Sequence, residues 1–275
     1  MSASFGRGLH AAPGRAVSAS AYDRYLGRWS RLSVPDLLAA AEVVRGHRVL
    51  DVATGTGEAA AMSIPIVGDT GFVVGADISL EMVTSAHMRL DAPCFCPVNA
   101  DGQSLPFRDG TFDAVVCQLG VQFFPDPAAG LSEFRRVART GAMVAVCVNS
   151  TPDRLPVWGH LRDALDGFLT QEQRAVLEMS WSLADRNRLD GLYRTAGFQD
   201  IRVEQIRREG TIDGFEDYWA PIEEGIGQIP QVYRALGEAD RRWVREEVHA
   251  RLAQYEAADG RLTMGVEVLI ARGRA

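Results

Sequence analysis

An α/β chain with a doubly wound, mostly parallel sheet is the fold class the sequence predicts, and three observations predict it. Short apolar runs alternate with helical patterns from residue 47 onward, as strand–helix–strand units do. The runs are continuous rather than alternating, which suits strands covered on both faces. A glycine-rich turn, VLDVATGTGEAA over residues 49–60, leads the first run into small helix formers. Such a turn lets a ligand approach backbone N–H groups at a helix start.

The elements follow in order. HRVLDVA (47–53) reads as the first strand and FVVGAD (72–77) as the second. SLEMVTSAHMRL (79–90) is predicted as a helix capped by Ser79, with Leu80, Val83, His87 and Leu90 on one face. CFCPVNA (94–100) gives a third strand despite Pro97, and TFDAVVCQL (111–119) a fourth. Asp126 caps a helix with Pro127 at its first position and an inner stripe of Leu131, Phe134 and Ala138. Arg135, Arg136 and Arg139 gather in its last turn, where cations suit the helix dipole. MVAVCVN (143–149) is the fifth strand. Beyond it, Trp158, Leu161, Leu165 and Phe168 recur at helical spacing, and SLADRNRLDGLYRTAGF (182–198) reads as a helix ending at Gly197. QDIRVEQIRRE (199–209) is a strand with Ile201, Val203 and Ile206 inward. Residues 214–257 read as helical, with Val244, Val248, Leu252 and Tyr255 on one stripe, and GVEVLIARG (265–273) is the seventh strand.

The 275 residues suit one large domain, or a core domain with an inserted cap, and give ample length for a sizeable core. A formal charge of −7 argues against nucleic acid or an anionic membrane as the main partner. All 29 basic residues are arginine, which excludes Schiff-base lysine chemistry and a phosphate-loop lysine. Cys94 and Cys96 share a face of a predicted strand, with no second close pair beside Cys117 and Cys147 to complete a zinc set. No metal site is predicted, and the four are read as buried, reduced thiols of a cytoplasmic protein. No apolar run approaches membrane-spanning length, so no membrane insertion is expected. The first 20 residues lack the apolar core of a secretory signal and read as a flexible tail.

The ends of successive strands are the places to look for a ligand in such a sheet. Gly55, Gly57 and Ala60 satisfy a dinucleotide fingerprint, and Asp77, 22 residues after Gly55, can hold ribose hydroxyls of NAD or of a single nucleoside. Two residues separate these ligands. Asp51, at the mouth of the turn, would repel a pyrophosphate and attract an ammonium group. Asp101, after the third strand, can accept from an adenine amino group. Adenine, ribose and a cationic amino-acid tail without phosphate describe S-adenosylmethionine.

The order VLDVATGTGE, VVGADIS, NADGQSLPF, FDAVVCQLGVQFFPD and LSEFRRVARTGAMVAV resembles the class I S-adenosylmethionine-dependent methyltransferases. Within them it is most similar to the group that includes the ubiquinone and menaquinone biosynthesis enzymes. The resemblance covers residues 20–150. It implies a Rossmann-like sheet of about seven strands, mostly parallel with an antiparallel last strand, plus a helical cap. The implied organisation is a tail (1–20), a cofactor-binding core with an N-terminal lid helix in AYDRYLGRWS (21–150), and the rest of the sheet (151–275). Helical segments 151–180 and 214–257 form the substrate cap. By position, Asp51, Gly55 and Gly57 would line the methionine part, Asp77 the ribose, and Ile78 and Met82 the adenine. Asp101 would meet the adenine amino group, with Ala100 and Gly102 beside it, and Gln118 would lie near the cofactor ammonium. Ala53 stands where relatives often carry glycine; since alanine resists positive φ, an ordinary backbone is expected there.

Each residue also has a plainer reading. Asp77 could serve a helix cap, and Asp101 could simply start a turn with Gly102. Tyr22, Tyr25, Arg28 and Trp29 could pack an amphipathic helix rather than touch a ligand. His160 reads as a solvated histidine as well as the one candidate general base. Trp158, Tyr218 and Trp219 suit a core as well as a wall for an apolar acceptor, and Gln122 and Phe123 follow the fourth strand on the substrate side. The function expected is methyl transfer to a small, apolar or aromatic metabolite, in which the protein mainly holds nucleophile and methyl in near-attack geometry. The competing readings are a protein that binds S-adenosylmethionine without transferring methyl, as a cyclase or binding module, and an NAD-dependent oxidoreductase, which Asp51 and Asp101 disfavour.

Overall fold

The computed structural model describes residues 26–225 and 228–275. The expected tail, Tyr22 and Tyr25 lie outside them. Seven strands, β1 (Arg48–Val52), β2 (Phe72–Asp77), β3 (Phe95–Asn99), β4 (Phe112–Gln118), β5 (Ala138–Asn149), β6 (Gln199–Ile212) and β7 (Leu262–Arg274), form one sheet in the order β3-β2-β1-β4-β5-β7-β6. The pairs among β1–β5 are parallel, and β7 runs antiparallel between β5 and β6. The order reverses between β1 and β4, which opens a crevice at the carboxyl ends of those strands.

Strand alternation divides the core into two layers. Val49, Val73, Ala114, Val116, Ala145 and Cys147 face the helices Val34–Ala40 and Glu58–Val67. Farther along the same face, β7 residues Met264, Val266, Val268 and Ile270 meet the helices Pro156–Leu165, Phe215–Glu223 and Glu238–Leu252. The opposite face carries Leu50, Val52, Val115, Val144, Val146 and Ala271 against the helices Pro127–Val137 and Arg186–Thr195. Among the described residues, no helix is long and apolar enough to cross a membrane.

Several boundaries depart from the sequence expectation for local reasons. The Pro127–Val137 helix takes its cap from Asp126 Oδ1, which accepts from Ala128 N and Ala129 N, each at 3.0 Å. It ends one residue before Ala138, which opens β5 together with Arg139; Gly130, Leu131, Phe134 and Val137 form its buried stripe. The helix expected from residue 182 starts at Arg186, because Asp185 caps it by accepting from Arg188 N at 2.7 Å. In the Leu80–Arg89 helix, Ser79 accepts from Met82 N, but Val83 and Ala86 are the buried residues while Leu80 is exposed. Ile201 and Val203 pack on one face of β6 and Ile206 on the other, as their odd and even positions require. Cys117 and Cys147 are buried, whereas Cys94 is half-buried and Cys96 exposed, because β3 is an edge strand.

Trp219 is fully buried, stacked on Phe215 at 5.5 Å, with Nε1 donating to Glu223 Oε1 at 3.0 Å. Trp219→Ala is expected to lower stability by about 3–5 kcal/mol, read from urea unfolding; a loss below about 1 kcal/mol would show that this layer is not part of the cooperative core.

Candidate functional site

After Asp51 the chain turns through Ala53, Thr54, Gly55 and Thr56 to Gly57, the N-cap of the Glu58–Val67 helix, at φ +88°. A Cβ on Gly57 would stand 2.6 Å from Leu90 Cδ1, so both the backbone and the neighbouring helix demand glycine. Asp51 holds this turn from inside. Its Oδ2 accepts from Thr54 Oγ1 at 2.7 Å and from Ala60 N at 3.1 Å. Its Oδ1 has no hydrogen-bond partner among the described residues, and the side chain is wholly buried. Burial pushes the carboxyl up to about 7; Thr54 and Ala60 oppose the rise and nearby Asp77 adds to it.

Asp77, at the end of β2 and 9% exposed, accepts from Gly55 N through Oδ2 and from Ser79 N through Oδ1, each at 2.9 Å. Burial raises its pKa despite those bonds. Each oxygen keeps a second lone pair for another donor. Asn99 Nδ2 donates to the carbonyls of Asp77 and Ile78 at 3.0 and 2.9 Å, and Ala100 N to Asp77 O at 2.9 Å. The ends of β1, β2 and β3 thereby form one hydrogen-bonded rim. Next along it, half-buried Asp101 accepts from Gln103 N at 2.8 Å. A Cβ on the buried Gly102 would lie 2.5 Å from Phe124 Cζ. Ile78 is exposed and Met82 half-buried.

The expectation of an ordinary backbone at Ala53 is overturned: its φ is +55°. Across the crevice a Cβ on Gly120 would stand 2.3 Å from Ala53 Cβ, so the alanine methyl leaves no room for a side chain at position 120. Leu119, beside Gly120, has φ +54°. Two non-glycine residues thus hold left-handed backbone on the two sides of the crevice, at a cost of roughly 1–2 kcal/mol each.

Other residues singled out from the sequence fall in different places. Gln118 Nε2 donates to Ser30 O at 3.0 Å and to Ser33 Oγ at 3.1 Å, tying the end of β4 to the N-terminal segment, and its Oε1 has no partner among the described residues. Gln122 is buried in the turn after β4, and Phe123 is half-buried beside it. Trp158, Tyr218 and Trp219 pack in the layer over β7, and Tyr218 donates its hydroxyl to Val157 O at 2.8 Å. His160 shares a hydrogen bond with Tyr255 Oη at 3.2 Å, away from the strand-end rim, and burial followed by Arg251 lowers its pKa. Arg28 pairs with Asp217 at 2.8 Å.

Sequence reasoning missed Glu58. It meets Arg89 at 2.5 Å and Arg31 at 3.6 Å, and Arg89 also donates to Thr56 O at 3.2 Å. These contacts fasten the glycine turn to the Leu80–Arg89 helix and to the N-terminal segment. A glutamate directly after the glycines was the available signal, since acids favour a first helical turn, but its partners lie far off in sequence. Among the described residues, no group of His, Cys, Asp and Glu could hold a metal ion.

The donor and acceptor set discriminates between ligands. Ala60 N, an amide at the helix start that an anion could otherwise engage, is already donated to Asp51. Two buried carboxylates would repel a pyrophosphate and attract a cation. An added Cβ on Gly55 would meet nothing within 4 Å, which leaves the turn open to close approach. With Asp51 Oδ1 unpaired, these features fit S-adenosylmethionine.

Comparison with known proteins agrees. The ubiE/COQ5 methyltransferase family model matches residues 29–164. A demethylmenaquinone methyltransferase from Corynebacterium kroppenstedtii is 41% identical over 107 residues, 39% of this chain and 44% of that protein. One from Staphylococcus epidermidis is 28% identical over 179 residues, 61% of this chain and 74% of that protein. The match thus spans less than half of the first relative's length and about three quarters of the second's. In fold, phosphoethanolamine N-methyltransferase 2 from Haemonchus contortus, in complex with S-adenosyl-L-methionine, superposes with a TM-score of 0.60 at 17% identity, covering 99% of this chain and 60% of that one.

The raised pKa of Asp51 carries a sign. The folded state holds a proton that the unfolded chain releases, so this group's contribution to stability falls as pH rises from 3.8 to about 7. Asp51→Asn is therefore expected to stabilise the ligand-free protein above about pH 8 by roughly 2–4 kcal/mol and to change it little near pH 4, by urea unfolding at both pH values. Equal effects at the two would contradict the assignment.

At the crevice, Gly120→Ala should cost about 1–3 kcal/mol and Ala53→Gly should gain roughly 0.5–1 kcal/mol. The double variant should recover part of the Gly120→Ala loss; strict additivity would mean that the two positions do not touch.

Proposed function

We propose that the chain, whose residues 29–164 match the ubiE/COQ5 methyltransferase family model, is a class I S-adenosylmethionine-dependent methyltransferase that methylates a small, quinone-like acceptor of apolar, aromatic character. The observation that carries the reading is the pair of buried carboxylates, Asp51 and Asp77, joined through the glycine turn. In this reading Asp51 draws the ammonium of the methionine tail past Ala53, Gly55 and Gly57. Asp77 takes the ribose hydroxyls on its remaining lone pairs. Ile78 and Met82 cover the adenine, Asp101 accepts from its amino group, and Ala100 and Gly102 bring their backbone beside the ring. Gln118 holds the end of β4 against the N-terminal segment, near the ammonium.

When bound, the cofactor supplies an electrophilic methyl group on a sulfonium. The chain positions: the strand ends fix the tail and ribose, and the crevice between β1 and β4 sets the line of approach for the acceptor. The helical segments 151–180 and 214–257 would cover that acceptor, with Gln122 and Phe123 on its side of the crevice. A quinone ring is the acceptor class that the names of the relatives point to. A ring hydroxyl would have to lose its proton as its ring becomes nucleophilic, and His160 stands apart from the rim. A cytoplasmic location accompanies the reading.

Incubation with methyl-labelled S-adenosylmethionine and a naphthoquinol, followed by mass spectrometry, is expected to give a product heavier by one methyl group. Binding of the cofactor with no methylated product, from the quinol or from a metabolite extract, would overturn methyl transfer. Asp77→Ala should weaken cofactor binding by roughly 1–3 kcal/mol in calorimetry. Unchanged affinity, or binding of NAD in preference, would reject the cofactor site.

A further inference from the structure

Where β5 ends, the chain frames a second recess, away from the crevice. A cavity of about 660 Å³ lies among β6, β7, the loop after β5 and the first turn of the Arg186–Thr195 helix. Its floor holds Ser150, Glu267 and Leu269, which are 5%, 5% and 2% exposed. Arg154, Asp185, Arg186 and Gln205 are exposed and make its rim. Strand alternation fixes the side of the sheet. Val266, Val268 and Ile270 of β7 pack with the helices Pro156–Leu165 and Glu238–Leu252, so Glu267 and Leu269 point the other way, and Leu269 joins the opposite core layer. The cavity therefore lies across the sheet from the segments proposed to cover the acceptor.

Glu267 is the unusual group on that floor. Its Oε1 accepts from Ser150 Oγ at 2.8 Å, and its carbonyl accepts from Ser150 N at 3.2 Å. Among the described residues its carboxylate takes no other hydrogen bond and forms no ion pair. Arg207 stands directly opposite on β6, yet its guanidinium lies along Gly265, where an added Cβ would be 3.0 Å from both Nε and Nη2. A buried carboxylate without a cation is costly, and buried charges are ordinarily paired. Here one carboxylate oxygen remains for a partner, in the wall of a cavity.

The surroundings decide which partner suits it. A metal ion needs more ligands than one carboxylate supplies, and among the described residues no group of His, Cys, Asp and Glu could hold one. A phosphate would meet the floor with like charge. A simple cation suits the floor but not the rim. There Arg154, 54% exposed, pairs only with its neighbour Asp153 at 3.3 Å, and Arg186 donates to Val203 O without forming an ion pair. Asp185 is engaged as the helix cap, accepting from Arg188 N. A molecule that leads with an ammonium and trails a carboxylate answers both floor and rim, and the volume suits a small ligand. We propose that this cavity binds a small amino-acid zwitterion, its ammonium inward on Glu267 and its carboxylate outward on Arg154 and Arg186.

Glycine, β-alanine and γ-aminobutyrate carry the same two charges at increasing separation. Each is titrated into isotope-labelled protein and followed by NMR, and the tightest is compared with the amine and the acid of its own length. The zwitterion is expected to shift the amides of Ser150, Gln205 and Glu267 and to bind about tenfold or more tighter than either single-charge analogue. Glu267→Gln, which keeps an oxygen for Ser150 Oγ, should weaken it about tenfold or more. The Arg154→Gln, Arg186→Gln double variant, altered only on the exposed rim, should bring it down to the affinity of the amine. Asp51→Asn should bind it as the wild type does. No binding by any of the three, or binding unchanged in Glu267→Gln, overturns the site. The amine or the acid binding as tightly as the zwitterion overturns the two-ended recognition, as does an unaltered rim variant. Binding lost in Asp51→Asn places the ammonium in the crevice and overturns the proposal. Should Glu267→Gln fail to fold, the rim variant and the analogues decide.

Discussion

The carboxylate of Asp51 draws the end of β1 onto the start of the Glu58–Val67 helix, accepting from Thr54 Oγ1 and Ala60 N while shut off from solvent. Most of the site is arranged around that constraint. It shapes the glycine turn and occupies a helix-start amide that an anion could use. It also leaves one carboxylate oxygen without a partner among the described residues. Burial makes the charge expensive, and its second neighbour of like sign, Asp77, makes it more so. A cation repays that cost where a phosphate would add to it. The same burial that makes the turn selective also lowers the stability of the ligand-free protein at neutral pH, a common exchange between function and stability.

Around this carboxylate the fold spends further strain on keeping the crevice narrow. Gly120 approaches Ala53 so closely that position 120 has no room for a Cβ, and both Ala53 and Leu119 sit at positive φ. Left-handed alanine and leucine persist only where surrounding packing fixes them. Here the packing is the parallel register of β1 with β4, Val49 opposite Ala114 through Asp51 opposite Val116. The Arg31–Glu58–Arg89 contacts and the Gln118–Ser30 bond bring the N-terminal segment onto the same corner. Loops after β1, β2, β3 and β4 are therefore coupled mechanically, so a ligand that touches one meets a surface set by all four.

Much of this was legible in the chain. Five parallel strands announce themselves as apolar runs, and the Ser79 and Asp126 caps sit where short polar residues precede helical patterns. Asp51, Asp77 and Asp101 were singled out because strand ends can be counted, and they lie in β1, at the end of β2 and just after β3. The misses have physical causes. Ala53 was expected in ordinary conformation because intrinsic preference says so, and within the folded turn its φ is +55° instead. Cys96 was expected to be buried because its strand is apolar, but edge position is a property of sheet order, which one run of residues does not encode. The Gln122–Asn149 and Asn149–Ser180 bonds join three separate segments of the chain, and hydrogen-bond satisfaction exists only once the segments meet.

If Asp51 receives the ammonium group of the cofactor as proposed, its buried carboxyl, pushed up to about 7, must ionise on binding. Calorimetry of S-adenosylmethionine binding near pH 6, in two buffers of different ionisation enthalpy, measures the protons released directly. Close to one proton should leave at about pH 6, where the amino group of the cofactor is already charged, with the release abolished in Asp51→Asn. Tight binding with no proton released near pH 6 would rule out an Asp51–ammonium pair.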